Sequence, residues 1–253
     1  MNPTLWRMVL RSFFIQCAWN FERMQNLGFA FAMAPALKRL YPDKERRIMA
    51  LRRHMEFYNS HPFMSPLILG SALRVEEDAL AAGKEPGAMV SSLKQGLMGP
   101  LAAIGDALFW NTLRPLATLA SAALLWALPQ VQPLVVAGLY LAIFNLPHLA
   151  FRILGIRQGY ALGVQVAGFL AKVDTQKIIA RLRIVALVVM GAALACLGRL
   201  KDPGGPASLP FGGDLGFVGQ GFVMLVALRL KVPVTWILAG AGLLAFTPFL
   251  RTL

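Results

Sequence analysis

Five polar side chains lie within seven residues near the start of the chain, and their types suit recognition of a neutral polar molecule. They are Asn20, Glu22, Arg23, Gln25 and Asn26. On a helix, Glu22, Gln25 and Asn26 would share one side, with the other two opposite. Amides both donate and accept hydrogen bonds, so amides beside an ion pair favour a polyol ligand. The alternative is a polar girdle lying in the lipid headgroups.

Asp106 is the sharpest single candidate, because it is the one charged residue between Lys94 and Arg114. An ionised carboxylate inside a bilayer costs ~2.5–3.5 kcal/mol on insertion scales, so it should be paired, protonated or facing water. Arg114 is about two helical turns away, too far for a direct bridge. The open alternatives for Asp106 are contact with a ligand and an N-cap after Gly105.

Two further polar positions have simpler explanations. Asn59 precedes Pro62 in a segment that is either a functional polar corner or an ordinary helix stop before proline. His54 stands between Arg53 and Glu56 on a charged helix, which predicts a solvated histidine.

The composition is that of a membrane protein. Of 253 residues, 57% are hydrophobic and 15% charged, with a mean hydropathy of +0.59. The net charge of +13 is then explained by cytoplasmic basic residues that hold a topology and meet anionic lipid. We therefore expect contact with membrane lipid and no nucleic-acid partner.

Motifs for catalysis, metals and cofactors are absent from the sequence. Cys17 and Cys196 lie far apart without metal-ligand spacing, and the three histidines form no His-x-x-x-His motif. There is no phosphate-binding loop, dinucleotide fingerprint or nucleophile elbow, and no plausible catalytic pair of carboxylates. We expect no metal and no cofactor, and translocation is favoured over catalysis.

The apolar runs predict several membrane spans. Residues 115–151 hold no charge and predict a helical hairpin that turns at residues 129–133; further uncharged runs are 184–198, 215–228 and 232–250. Six basic residues against one acid in residues 152–183 place that link in the cytoplasm and the turn outside. No removable signal peptide is visible, so the N-terminus is expected in the cytoplasm.

The N-terminal half differs in character from these spans. We expect residues 1–114 to be an amphipathic, cytoplasmic or interfacial region with polar motifs, and residues 115–253 to be the transmembrane region. Residues 42–47 should open a helix that continues to Tyr58, with one apolar side. Glycine and proline punctuate residues 61–70 and 96–115, which predicts broken or re-entrant helices that pack against protein or line a wet cavity. The fold class is an all-α integral membrane protein, a multi-span bundle.

Small residues recur every four positions at Gly155, Gly159 and Gly163, and continue at Ala167 and Ala171. A small-xxx-small stripe allows a second helix to approach closely. It predicts a packing seam, within the chain or between subunits.

Four blocks of this sequence closely resemble the IID subunit of the mannose/fructose/sorbose family of the bacterial phosphotransferase system. They are residues 19–25 (WNFERMQ), 35–42 (PALKRLYP), 53–60 (RHMEFYNS) and 96–115 (GLMGPLAAIGDALFWNTLRP). Several long motifs in the family's order are far more specific than one short motif, and the later spans are also similar to the family.

The resemblance implies a IID subunit that pairs with a IIC subunit in the bacterial cytoplasmic membrane, assembled as a trimer of IIC–IID pairs. The sugar would be carried inward and phosphorylated by a phosphohistidine on the cytoplasmic IIB subunit, itself charged by IIA. The family implies no phosphohistidine on IID. A regulatory or structural membrane protein that keeps the fold without transporting is the alternative.

The resemblance also transfers a set of residues by position. Matches to the N-terminal polar motif, to the helix-end motif and to the glycine-rich block are Asn20, Glu22, Arg23, Gln25, Asn59, Asp106, Trp110 and Arg114. These are the candidates for sugar binding or translocation, and contact with IIC is an equal alternative for each of them.

Overall fold

The computed structural model describes residues 2–128 and 130–200, and these residues form helices joined by short links. The helices are α1 (Pro3–Ser12), α2 (Asn26–Leu40), α3 (Lys44–His54), α4 (Ser65–Ala81), α5 (Gly87–Gly105), a π-helical segment (Asp106–Leu113), α6 (Arg114–Ala127), α7 (Pro133–Leu162), a 3₁₀ turn (Gly163–Gln165), α8 (Val166–Lys172) and α9 (Thr175–Leu200). In the described part, β-pairing is limited to two isolated bridges. The expected runs 215–228 and 232–250 lie outside the described residues.

The chain divides into two compact units. One consists of residues 1–117 and 138–184, and the other includes residues 118–137 and begins again at residue 185. All the side-chain contacts discussed below lie within the first unit.

α1 begins with strong local signals and buries one side. The Asn2 side chain caps it by accepting a hydrogen bond from the Leu5 amide at 2.9 Å, and Pro3 occupies the first turn. Leu5, Met8, Val9 and Ser12 are buried, mainly against α2. The chain after α1 runs so close to α2 that a Cβ on Gly28 would lie 2.1 Å from the Ile15 carbonyl oxygen, which explains the glycine.

α3 begins as the sequence predicts but ends early. The Asp43 side chain accepts from the Arg46 amide at 2.8 Å. The helix stops at His54 and does not reach Tyr58, so the predicted apolar side is wrong in detail: Ile48 is 40% exposed. Contacts from α4 and α5 bury His54 instead, through an acid and a lysine that the local pattern of α3 does not reveal.

Of the two segments punctuated by glycine and proline, residues 61–70 form a turn that leads into α4 at Ser65, and residues 96–115 are helical throughout. Pro66 lies in the first turn of α4, where its missing amide hydrogen costs nothing. Residues 87–127 run continuously through α5, the π-helical segment and α6, with Pro100 inside α5. The irregularity predicted for residues 96–115 is therefore a widened helix, in which the Thr112 hydroxyl donates to the Ala107 carbonyl at 2.7 Å.

Among the described residues, one helical stretch is long and apolar enough to cross a membrane. It covers Pro133–Lys172, has a mean hydropathy of 1.8 over its best window, and only 6% of that window is buried inside the protein. The predicted turn at residues 129–133 falls between α6 and α7. α9 contains the predicted run 184–198.

α4 and α7 approach each other at backbone distance through glycines on both helices. A Cβ on Gly159 would lie 2.0 Å from the Leu67 carbonyl oxygen, and one on Gly70 would lie 2.2 Å from the Ile156 carbonyl oxygen. Gly163 follows with φ +52° against the Arg74 side chain. The positive φ and the 3₁₀ turn interrupt the stripe, and beyond it Ala167 and Ala171 are exposed.

Candidate functional site

The N-terminal polar block is a closed loop and not a helix, which corrects the sequence prediction. Asn20 and Met24 exchange backbone hydrogen bonds of 3.1 and 2.9 Å. Met24 has φ +57°, and the Asn20 side-chain oxygen accepts from the Arg23 amide at 2.8 Å. Asparagine competes for backbone groups in this way and favours turns over helix. The side-by-side arrangement calculated for a helix therefore does not form.

The buried amides of this block bind the protein itself. Gln25 is 3% exposed; its backbone amide donates to the Tyr58 carbonyl at 2.9 Å, and its side-chain oxygen accepts from the Ser60 amide at 3.3 Å. The Asn26 side chain donates to the Met55 carbonyl at 2.8 Å and accepts from Asn20 at 2.9 Å. These side chains tie the loop to the segment after α3.

The charged members of the block lie at the exposed tip of the loop. Glu22 and Arg23 form an ion pair of 3.1 Å, with side chains 78% and 51% exposed. Phe21 beside them is exposed too, and so is Asn59, between buried Tyr58 and Ser60. The exposed polar side chains of Glu22, Arg23 and Asn59 are therefore accessible to a partner outside the chain.

The glycine-rich block presents its polar residues on one outward line. Asp106, Trp110 and Arg114 are all exposed and follow one another at intervals of four; the first two lie on the π-helical segment, and Arg114 begins α6. The Arg114 guanidinium lies over the Trp110 ring, 5.9 Å from its centroid. Because the helix continues through Gly105, Asp106 does not cap a helix start, and that alternative is wrong.

A cluster of aromatic rings packs against the π-helical segment that carries Asp106 and Trp110. His61 stacks on Phe109 with ring centroids 5.2 Å apart, and Phe63 stacks on His148 at 4.3 Å. Trp110 stacks on Phe144 of α7 at 6.0 Å. A Cβ on Gly105 would lie 2.3 Å from the His61 ring, so the glycine is what lets the histidine approach. The cluster fixes the π-helical segment against α7.

Arg152 is a buried residue that sequence reasoning did not single out. The positive-inside argument counts it with the cytoplasmic link, but it is 3% exposed within α7. Its guanidinium donates to the carbonyl and hydroxyl oxygens of Ser12, at 2.6 and 3.0 Å, and packs over the rings of Phe13 and Phe63. An arginine inside an otherwise apolar helix was the signal available in the sequence.

A buried network around Glu76 was also missed. The fully buried Glu76 carboxylate lies 3.0 Å from the His54 ring nitrogen Nε2 and 3.3 Å from the Arg53 Nε, and it accepts from the Tyr41 hydroxyl. His54 is completely buried and stacks on Phe29, so the prediction of a solvated histidine is wrong. A buried glutamate requires partners of this kind.

Burial and the neighbouring groups act in opposite directions on the two central groups of this network. Burial opposes ionisation of Glu76, but hydrogen bonds from His54 and Tyr41 and the charges of His54 and Arg53 together hold its pKa below the ordinary value. Burial is the largest influence on His54 and lowers its pKa, against the opposing effect of Glu76. The partners of Glu76 thus favour its charged form.

Lys94 completes the buried network from α5. It is 1% exposed, and its amine lies 3.4 Å from the carbonyl oxygens of Arg53 and His54 and 4.9 Å from the centroid of the Phe29 ring. Burial lowers its pKa to about 8. The lysine therefore closes the C-terminal end of α3, where carbonyl groups lack helical partners.

No group of three or more His, Cys, Asp or Glu side chains that could hold a metal ion occurs among residues 2–128 and 130–200. The arrangement offers instead an exposed line of an acid, a tryptophan and an arginine on a rigid helix. Such a line suits hydrogen bonding and stacking with a polar ring or with a partner subunit.

Comparison with known proteins identifies relatives along most of the chain. The PTS system mannose/fructose/sorbose family IID component matches residues 2–201. The mannose-specific EIID component of Escherichia coli is 41% identical over 184 residues, covering 72% of this chain and 64% of that protein. The fructose permease IID component of Bacillus subtilis is 31% identical and covers 94% of this chain and 91% of its own length.

Solved structures agree with these relatives. A cryo-electron-microscopy structure of the mannose transporter ManYZ in complex with a microcin contains a chain 32% identical, with a TM-score of 0.59, covering 100% of this chain and 97% of that one. A structure described as a membrane protein reaches a TM-score of 0.70 at 31% identity, covering 99% and 97%. The chain spans just under two thirds of the length of the E. coli relative. This chain belongs to the IID components of the mannose/fructose/sorbose family of the phosphotransferase system.

Proposed function

We propose that the chain is the IID subunit of a sugar permease, which together with a IIC subunit moves a hexose-type sugar inward while IIB phosphorylates it. The family match supports this role. The observation that assigns this role to a site is the exposed line of Asp106, Trp110 and Arg114. Phe144 of α7 stacks on Trp110 at the inner side of this line. IIA supplies the phosphoryl group to IIB, and the phosphorylation chemistry lies outside this chain.

The assembly we propose is a trimer of IIC–IID pairs, crossing the bacterial cytoplasmic membrane several times with the N-terminus inside. Four exposed basic residues on α8 and α9 support the cytoplasmic placement of residues 152–183: Lys172, Lys177, Arg181 and Arg183. Arg152 is buried and does not belong to that surface. The four exposed basic residues still outnumber the one acid of the stretch, Asp174.

Within this site, Asp106 accepts hydrogen bonds from sugar hydroxyls or from IIC groups at the sugar, and Trp110 offers the exposed part of its ring. Arg114 lies over that ring and adds positive charge beside the acid at the same surface. Glu22, Arg23 and Asn59 form a separate exposed group for contact with IIC, whereas Asn20 and Gln25 position their loop.

The test is uptake of radiolabelled hexoses by cells that express this chain with its neighbouring IIC and with IIA and IIB. Asp106→Asn should abolish uptake and leave the IIC–IID complex intact on extraction. Asp78→Asn is the matched control, since Asp78 is exposed on α4 and pairs with Arg74. Full uptake by Asp106→Asn would remove the residue from the site, and uptake independent of IIC would refute the proposed function.

A further inference from the structure

A cleft with almost wholly apolar walls lies apart from the proposed sugar site. Its volume is about 290 Å³, near the lower end of the ~300–1,000 Å³ of ligand pockets. It lies between the start of α4, the end of α5 with the π-helical segment, and the chain from α7 to α9. Its residues on α7, α8 and α9 include Phe151, Leu154, Phe169, Leu170, Ile178 and Ile179.

The chemistry of the walls excludes a sugar or a free anion as occupant. Gln158 and Thr175 are the polar side chains among the lining residues, and neither carries a charge. A sugar moved into such a cleft would lose hydrogen bonds to water without replacement. The occupant is therefore apolar along the length that enters the cleft.

The cleft is accessible from outside the protein, on the surface of the helix that is apolar enough to cross a membrane. Phe151 and Leu154 of α7 and Ile178 of α9 line it and are 39%, 51% and 49% exposed. Most of the apolar stretch of α7 is likewise not buried inside the chain. Lipid chains are the apolar material that such a surface meets in a bilayer.

Positive charge borders the cleft on the elements that line it. Lys172 follows Phe169 by three residues, and Arg183 follows Ile179 by four. Residues three and four apart are neighbours on a helix surface, so each exposed cation lies beside a lining residue. The acid in this stretch, Asp174, lies 2.7 Å from the amine of Lys177 and is also near Arg181.

We propose that this cleft, at the cytoplasmic edge of the membrane, is a binding site for an anionic phospholipid, with an acyl chain between α4, α7 and α9 and the phosphate at Lys172 and Arg183. An apolar cleft bordered by cations matches both parts of such a molecule: the chain buries apolar area, and the basic residues attract the headgroup. The inference depends on the membrane location and not on sugar transport.

The experiment measures lipid binding by native mass spectrometry of the full chain, purified from membranes with its co-expressed IIC and stripped of lipid. Phosphatidylglycerol and phosphatidylcholine with the same acyl chains are added separately. Phosphatidylglycerol should bind more tightly. Arg183→Gln should weaken it about fivefold, as expected for one basic residue at an anionic lipid, and leave phosphatidylcholine unchanged.

Two matched controls separate the cleft from general effects. Lys177→Gln makes the same change in charge on the opposite side of α9 from Thr175 and should retain phosphatidylglycerol. Ile178→Trp fills the cleft and should lose the lipid, whereas Ile184→Trp, at an exposed position of the same helix outside the lining, should keep it.

Three results would overturn the proposal. Equal binding of the two lipids would show that the site does not select an anionic headgroup. Unchanged lipid binding in Ile178→Trp would show that the lipid binds outside the cleft. Loss of IIC with retention of lipid in that variant would assign the cleft to the partner subunit. Each readout is independent of sugar and of IIB, so failed sugar uptake and failed lipid binding are distinguishable.

Discussion

The two polar blocks of the chain use similar side chains for different purposes. In the N-terminal block, Gln25 and Asn26 are buried and their hydrogen bonds close a loop onto the segment after α3. In the glycine-rich block, Asp106, Trp110 and Arg114 lie exposed along a helix. Residue type alone does not separate a side chain that holds the fold from one that meets a ligand. Burial and the identity of its hydrogen-bond partners do.

The strongest test of this contrast is a buried acid that serves the fold alone. Glu76→Gln should lower the free energy of unfolding by about 3 kcal/mol, because it leaves the mostly buried Arg53 without its nearer counter-charge. Thermal unfolding of the extracted protein measures the change. Glu85→Gln is the control, since Glu85 is 97% exposed and 4.0 Å from the same arginine. Equal melting temperatures for the two variants would mean that the network contributes nothing to stability.

The pH dependence of stability tests Lys94 in the same network. Its pKa of about 8 lies below the ordinary 10.5, so between these pH values the unfolded chain binds more protons and stability rises with pH. The gain reaches about 3 kcal/mol by pH 10.5 and is absent below pH 8. Denaturant unfolding at several pH values should show this rise in the wild type and lose it in Lys94→Met. A rise that persists in the variant would assign it to other groups.

A third test moves from polar contacts to backbone packing. Gly159→Ala should destabilise the protein by about 1–3 kcal/mol, because its Cβ would meet the Leu67 carbonyl oxygen. Gly168→Ala has open space around its Cβ and lies in α8, so it should be neutral or slightly stabilising. Thermal unfolding of both variants gives the comparison. A tolerated Gly159→Ala would show that α4 and α7 separate without loss.

The smallest effect sharpens the comparison within one motif. Gln25→Ala should cost about 1 kcal/mol of stability, because the Ser60 amide loses its acceptor. Glu22→Gln should change stability by less than about 0.5 kcal/mol, since its ion pair is exposed. Chemical denaturation measures the stability of both variants. An effect of Glu22→Gln on function would be measured by sugar uptake or by IIC pull-down. Equal destabilisation by both substitutions would mean that buried Gln25 and exposed Glu22 contribute alike to the stability of the fold.

The helical character of the chain and its relationship to a family could be predicted from the sequence, and so could the start of α3 within residues 42–47 and the packing seam at Gly159. Local pattern was sufficient for these features. The loop at residues 20–24 was predicted as helix because the hydrogen bonds that close it involve a left-handed Met24 and a partner segment thirty residues away. The periodicity of the sequence does not reveal hydrogen bonds between residues so far apart in the chain.

Buried charge was the second limit of sequence reasoning. His54 was predicted to be solvated because its neighbours in sequence are charged, and Arg152 was counted only as one basic residue of the link 152–183. Their actual environments come from Glu76 on α4 and from Ser12 and two phenylalanine rings. A charge with a partner far away in the chain is visible only in three dimensions. The π-helical segment was similarly hidden, since glycine and proline predicted a break.

The reciprocal glycines of α4 and α7 define how the two helices are aligned along their length. Gly70 receives the Ile156 carbonyl, and Gly159 receives the Leu67 carbonyl, so each backbone fits a gap in the other. Sliding either helix by one residue would place a side chain, such as Leu69 or Ser71, where no Cβ fits. The pair therefore has one register along its length, and sliding α7 along its axis would carry α4 and its buried Glu76 with it.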